Sequence, residues 1–190
     1  NNINDVAFIS KLIDKLVLTY KINPKKVYIT GHSNGGMMAY RLACELSNKI
    51  AAIAPNASTM VVNQPCNPSR AMPILHMHSA LDTKVPYKGG LGTGTGTEGV
   101  FLPAINTVLK TWARKNNCNM LAQVITNNSG YKLTRWSNCT SNVTLDYYLT
   151  KDGGHGWPGG LPGGPNSDPP STAINANDLL WNFFQQHQLP

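Results

Sequence analysis

Ser33 is the residue around which chemistry can be built in this sequence. It stands in Gly31-His32-Ser33-Asn34-Gly35, directly after the apolar run Val27-Tyr28-Ile29-Thr30 and before a helix-like run from Met37 to Leu46. A strand that reverses into a helix within one residue needs small neighbours, because a Cβ at either flank would clash. Gly31 and Gly35 supply that room, and Ser33 takes the strained apex with its hydroxyl pushed out at the carboxyl edge of a sheet. The helix that starts behind it aims free N–H groups and its positive dipole end at the same point, so the Asn34 N–H is expected to hold an oxyanion. The competing reading is an ordinary glycine-rich turn between strand and helix.

A serine hydroxyl is a weak nucleophile at neutral pH and requires a base and an acid to orient that base. On a turn of this kind the chain order is serine, acid, histidine, each on a loop after a later strand. Pro73-Ile74-Leu75-His76-Met77-His78 reads as a short buried strand, and Asp82 follows in the loop from Ser79 to Pro86. Leu145 to Thr150 is another strand, and the loop Lys151-Asp152-Gly153-Gly154-His155-Gly156-Trp157 follows it. Of the five histidines, His32 adjoins the serine and is expected to point away from its hydroxyl. His76 and His78 suit a structural, hydrogen-bonded role in a strand, and His187 a solvated place in the terminal helix. His155 alone sits in a glycine-flanked loop that lets its ring approach another loop; its competing reading is a turn histidine with one backbone hydrogen bond. Asp82 is favoured as the acid over Asp152, which is expected to pair locally; the alternative for Asp82 is an Asx-type turn residue. Trp157 reads equally as a pocket wall for a hydrophobic acyl group or as core packing.

The elements that must position these residues alternate along the chain. Strand-like segments lie near 26–31, 50–54, 73–78 and 145–150, and helices near 5–20, 35–47, 102–116 and 172–186. That alternation predicts an α/β fold with a mostly parallel sheet and helices on both faces. Segments near 121–126 and 131–136 read as a hairpin or an edge extension. The loop Gly89 to Gly99, with Gly92-Thr93-Gly94-Thr95-Gly96, follows no strand and lacks the lysine of a phosphate loop, so it reads as a mobile loop after the acid. Gly159 to Pro170, dense in glycine and proline, cannot form regular structure. Both loops are expected to overhang the catalytic edge.

Composition bounds the remaining possibilities. A single domain over residues 1–190 with 41% hydrophobic residues can bury a substantial core, and no apolar run is long enough to span a bilayer. The net charge of +7 comes from 16 basic against 9 acidic residues. The basic residues are scattered singly or as Lys25-Lys26 without aromatic interleaving, so a basic soluble surface is expected rather than a nucleic-acid or membrane partner. No cluster has metal-ligand spacing, and the chemistry calls for no metal or cofactor. The oligomeric state is left open. Four cysteines allow three pairings. Cys44 late in the helix after Ser33 suits Cys66 in a proline-rich loop, and Cys118 at a helix end suits Cys139 after a strand. This pairing implies an oxidising compartment; the alternative is four buried thiols. Asn56, Asn127, Asn138 and Asn142 begin N-x-[ST] sequons.

The runs GHSNGGMMAYRLACELSNKIAAIAP, PILHMHSALDTKVPY and KDGGHGWPGG together resemble the secreted esterase family that contains polyhydroxybutyrate depolymerase-like proteins and bacterial feruloyl and acetylxylan esterases. The likeness extends from about Asp5 to the end of the chain; a glycine commonly stands in the family where Ser79 stands here. The resemblance implies an α/β-hydrolase, secreted or periplasmic, with Ser33 as nucleophile, Asp82 as acid and His155 as base. The activity it implies is hydrolysis of short acyl or cinnamoyl (feruloyl) esters, with polyhydroxyalkanoate depolymerisation, acyl transfer to an alcohol or an inactive fragment as alternatives. Members of this fold carry strands before the nucleophile strand, and one of the loops there donates a second oxyanion N–H. This sequence starts at the helix near 5–20, so a shortened or N-terminally truncated domain without that donor is expected.

Overall fold

A computed structural model describes residues 3–93, 97–165 and 167–190. Helix α1 (Asp5–Tyr20) starts where the Asn4 side chain accepts from the Ala7 N–H, with Asp5 complementing the helix dipole in the first turn. The left-handed Lys21 (φ 52°) ends it. Strand β1 (Tyr28–His32), helix α2 (Asn34–Glu45), β2 (Ala52–Asn56) and β3 (Ile74–Ser79) follow. After them come the short strands β4 (Gly90–Leu91) and β5 (Phe101–Leu102), helix α3 (Ile105–Lys115), and strands β6 (Gln123–Asn127) and β7 (Tyr131–Trp136). Strand β8 (Leu145–Thr150) and helix α4 (Ala176–Gln185) complete the chain.

The main sheet runs β1-β2-β3-β8-β7-β6. Its first four strands are parallel, and the hairpin β6–β7 adds an antiparallel margin. The register sets His32 beside Asn56, and Ser79 beside Thr150. Because parallel strands end at one edge, the turns after β1, β3 and β8 converge there, and those turns carry Ser33, Asp82 and His155.

Side-chain alternation divides the core between the two faces. Ile53, Ile74, Leu145 and Tyr147 pack against Tyr40 and Leu42 of α2, Val108 and Trp112 of α3 and Val6 of α1. Ala52, Ala54, Leu75 and Met77 turn the other way, onto Phe183 and Phe184 of α4. The α/β arrangement with helices on both faces is thus the one the alternation predicts. On α1, Phe8, Leu18 and Tyr20 remain exposed, and among the described residues β1 pairs only with β2.

Several details depart from the sequence reading. Helix α4 starts later than expected because Asn175 caps it, accepting from the Asp178 N–H. The Gly89–Gly99 region is flanked by the β4–β5 pair, which the glycine-rich composition hid; Gly94, Thr95 and Gly96 lie outside the described residues. Thr93 donates its hydroxyl to the Thr83 carbonyl and so ties this loop to the acid loop. The imidazole of His187, expected in solvent, instead packs edge-on against Phe183. The disulfides are Cys44–Cys66 and Cys118–Cys139, the pairing expected. Of the sequons, Asn127, Asn138 and Asn142 are exposed, whereas Asn56 is buried.

Candidate active site

Ser33 holds φ 55° and ψ −119°, a region that costs a non-glycine residue roughly 1–3 kcal/mol. Its N–H donates to the Asn56 carbonyl of β2, and its own carbonyl accepts from Gly36 and Met37, so both sides of the turn are pinned. The crowding that demands glycine is one-sided. A Cβ on Gly31 would lie 2.3 Å from the Gly35 carbonyl carbon, whereas one on Gly35 meets nothing within 4 Å. Gly36, rather than Gly35, is the second crowded position, since a Cβ there would lie 2.3 Å from Ser58 Oγ. Asn34 opens α2, where no preceding helical carbonyl exists to accept its N–H.

The three loops bring their side chains into one hydrogen-bonded line. His155 Nε2 is 2.8 Å from Ser33 Oγ, and His155 Nδ1 is 2.8 Å from Asp82 Oδ2. Asp82 is only 4% exposed. Burial by itself pushes its carboxyl pKa up, but hydrogen bonds from His155, His78 and the Val85 N–H outweigh burial and hold it well below the usual carboxylate range. A carboxylate only accepts, so His155 carries its proton on Nδ1 and turns the Nε2 lone pair to the Ser33 hydroxyl. The two readings of Asp82 prove compatible. Oδ1 closes an Asx turn on the Lys84 and Val85 N–H groups, while Oδ2 faces His155.

Residues that sequence reasoning passed over hold the histidine in place. Asp168 Oδ2 accepts the His155 N–H at 2.7 Å, and the Pro169 carbonyl accepts from Gly154. The Gly159–Pro170 loop therefore clamps the histidine loop. Asn56 Nδ2 donates to the Gly156 carbonyl at 3.0 Å and faces His32 Nδ1 at 2.8 Å. Since a carbonyl can only accept, the amide orientation is fixed, and His32 accepts on Nδ1 and keeps its proton on Nε2. The His32 ring lies 4.7 Å from the His155 ring. Burial, followed by the neighbouring His155, pushes the His32 pKa down to about 4, so it is a neutral wall of the site at pH 7. Asp152 accepts from Ser171 and Thr172, the local pairing expected of it. Trp157 gives its indole N–H to Asn177 and packs with the α4 cluster, which is the packing role among its two sequence readings.

The chain is similar to known proteins along most of its length. A family model described as Phospholipase/Carboxylesterase matches residues 3–95. The chain is 28% identical over 191 residues to feruloyl esterase B of Piromyces equi, covering 98% of this chain and 32% of that protein. It is 25% identical over 186 residues to feruloyl esterase C of Emericella nidulans, covering 96% of this chain and 58% of that one. Among solved structures, an acetyl xylan esterase from Aspergillus awamori superposes with a TM-score of 0.61 at 14% identity, covering 95% of this chain and 66% of that chain. The chain thus spans about a third of the first of these relatives and just over half of the second. The chain has the α/β-hydrolase fold, and the relatives it resembles are named esterases.

Proposed function

We propose that this protein is a serine carboxylic-ester hydrolase acting on acyl or cinnamoyl esters of plant polysaccharide. The observation that carries the reading is the unbroken line Ser33–His155–Asp82, with both links at 2.8 Å. Ser33 attacks the ester carbonyl while His155 Nε2 takes its proton, and the Asn34 N–H faces the oxygen that gains charge. His155 then protonates the departing alkoxide, Asp82 stabilises the transient imidazolium, and water repeats the sequence on the acyl-enzyme. The names of the relatives, feruloyl and acetyl xylan esterases, support the substrate class. Two disulfides support export to an oxidising compartment.

The test is turnover of a chromogenic short-chain ester and of a feruloylated oligosaccharide, together with labelling by a serine-directed phosphonate. The expected result is one phosphonate adduct, on Ser33, and loss of about 10⁴-fold or more of kcat in Ser33→Ala. Product analysis with an added alcohol should show free acid rather than a new ester; a dominant new ester would make the protein a transferase. Wild-type protein that neither turns over nor labels would overturn the proposal.

A further inference from the structure

Behind Asp82 the hydrogen bonds do not stop. His78 Nε2 lies 3.3 Å from Asp82 Oδ2 and 2.8 Å from the Val85 carbonyl. His78 Nδ1 lies 3.1 Å from His76 Nε2, and His76 Nδ1 lies 2.8 Å from the Tyr40 hydroxyl. Tyr40, His76 and His78 are all at 0% exposure. Three stacked, fully buried polar rings are expensive unless each proton has an acceptor and each lone pair a donor.

Only one arrangement of protons satisfies them all. The Val85 carbonyl can only accept, so His78 carries a proton on Nε2. Deep burial, reinforced by His78, pushes the His76 pKa well down, so His76 is neutral and holds a single proton. With that proton on Nε2, His76 donates to His78 Nδ1 and accepts from the Tyr40 hydroxyl on Nδ1. With it on Nδ1, a lone pair of His76 would face His78, and the Tyr40 proton would have no acceptor. The donors therefore all point one way, from Tyr40 through His76 to His78, whose Nε2–H is given to the Val85 carbonyl at 2.8 Å with the Asp82 carboxylate beside it at 3.3 Å.

We propose that His78 is a positioning residue for Asp82, held in its working tautomer by His76 and Tyr40, so that the acid is fixed from the core as well as from its loop. The role rests on the hydrolase reading above. Tyr40 lies in α2, whose N-cap is Ser33. The nucleophile and the acid are thus tied through one rigid helix and a hydrogen-bond chain, in addition to their link through His155. The one-way polarity has a chemical consequence. When His155 becomes an imidazolium, its Nδ1 proton has no path inward past Asp82, because Oδ2, the oxygen it faces, also faces the Nε2–H of His78. The proton returns to the leaving alkoxide. The titratable and charged groups around Asp82 are His155 and His78 in direct contact, with His32 and Lys84 close by.

The test combines spectroscopy with three variants of the whole protein. Nitrogen-15 NMR of histidine-labelled wild-type protein at pH 7 should show His76 and His78 both protonated on Nε2. His78→Leu should lower kcat by about 10- to 100-fold with KM unchanged, the worth of one hydrogen bond to a charged group. It should also move the acid limb of kcat/KM to higher pH, because a carboxylate with fewer donors takes up a proton more easily. His78→Gln restores a donor and should recover most of the loss; Tyr40→Phe should show a smaller loss with the same signature. Tyr40→Phe and the tautomers decide the matter if His78→Leu fails to fold. An Nδ1 proton on either histidine overturns the proposal whether or not Ser33 reacts with phosphonate. So do folded variants with wild-type kcat and pH profile. An unreactive Ser33 instead overturns the hydrolase reading, so the two failures are told apart.

Discussion

His155 is held at both ends by carboxylates: its ring by Asp82 at 2.8 Å, and its backbone N–H by Asp168 at 2.7 Å. The relation with Asp168 decides where the ring stands, because glycines flank His155 and supply no stiffness of their own. Asp168→Ala should lower kcat by about 10-fold or more, since small displacements of a catalytic group are costly. KM should change little. Asp168→Asn keeps an oxygen acceptor and should retain most of the activity. Steady-state kinetics of the two variants side by side checks this.

The buried histidines and the buried aspartate give stability two successive pH windows of the same sign. His32 is lowered to about 4 and His76 is lowered well below its ordinary value, both first by burial. The unfolded chain therefore binds protons first, and stability should fall as pH drops from about 6.5 towards 4. Asp82 has a depressed folded pKa, so its contribution is complete above about 3.9 and is lost only as pH falls further. Urea midpoints at pH 7, 5, 4 and 3 should decline through both windows. His32→Gln should flatten the first and leave the second.

The elbow makes a sharp contrast between the two glycines that flank it. Gly31→Ala places a methyl 2.3 Å from the Gly35 backbone and should abolish phosphonate labelling, either by unfolding or by displacing Ser33. Gly35→Ala enters open space and should leave a folded protein that still labels. Mass spectrometry of the labelled variants, with circular dichroism for folding, separates the two.

Each disulfide closes a loop of about 20 residues and should stabilise the fold by about 3 kcal/mol in the chain-entropy account. Cys118→Ser with Cys139→Ser should lower the urea midpoint accordingly while Ser33 still labels in the folded protein, because that bridge joins α3 to the turn before β8, away from the carboxyl edge. Reductant should add the loss of Cys44–Cys66.

The residues of the site that announced themselves were those whose chemistry depends on local chain context. Ser33 needed only a strand, a glycine and a helix around it; Asp82 and His155 needed strands before their loops. The helix at 5–20 was legible from its apolar period, and the sheet from its alternation. Asp168 left no trace, because its partner is a backbone N–H and its own segment is a run of glycine and proline. Asn56 and His32 meet only through the parallel register of β1 and β2, a tertiary fact. His76 and His78 were legible as structural histidines, but the link to Asp82 required the fold of the acid loop back over the strand end. Trp157 carried two equal readings because an indole beside a catalytic loop is equally suited to a cleft or a helix packing face.

The Asn56-Ala57-Ser58 sequon has a practical corollary. Its amide is 1% exposed and bridges His32 and Gly156, leaving no volume for a sugar. A host that attaches glycans to the nascent polypeptide competes with folding at this position, and every molecule modified there is lost to quality control. Recombinant yield from such a host would report how often the transferase skips Asn56, and a bacterial periplasm, which oxidises thiols but does not decorate this asparagine, suits production better.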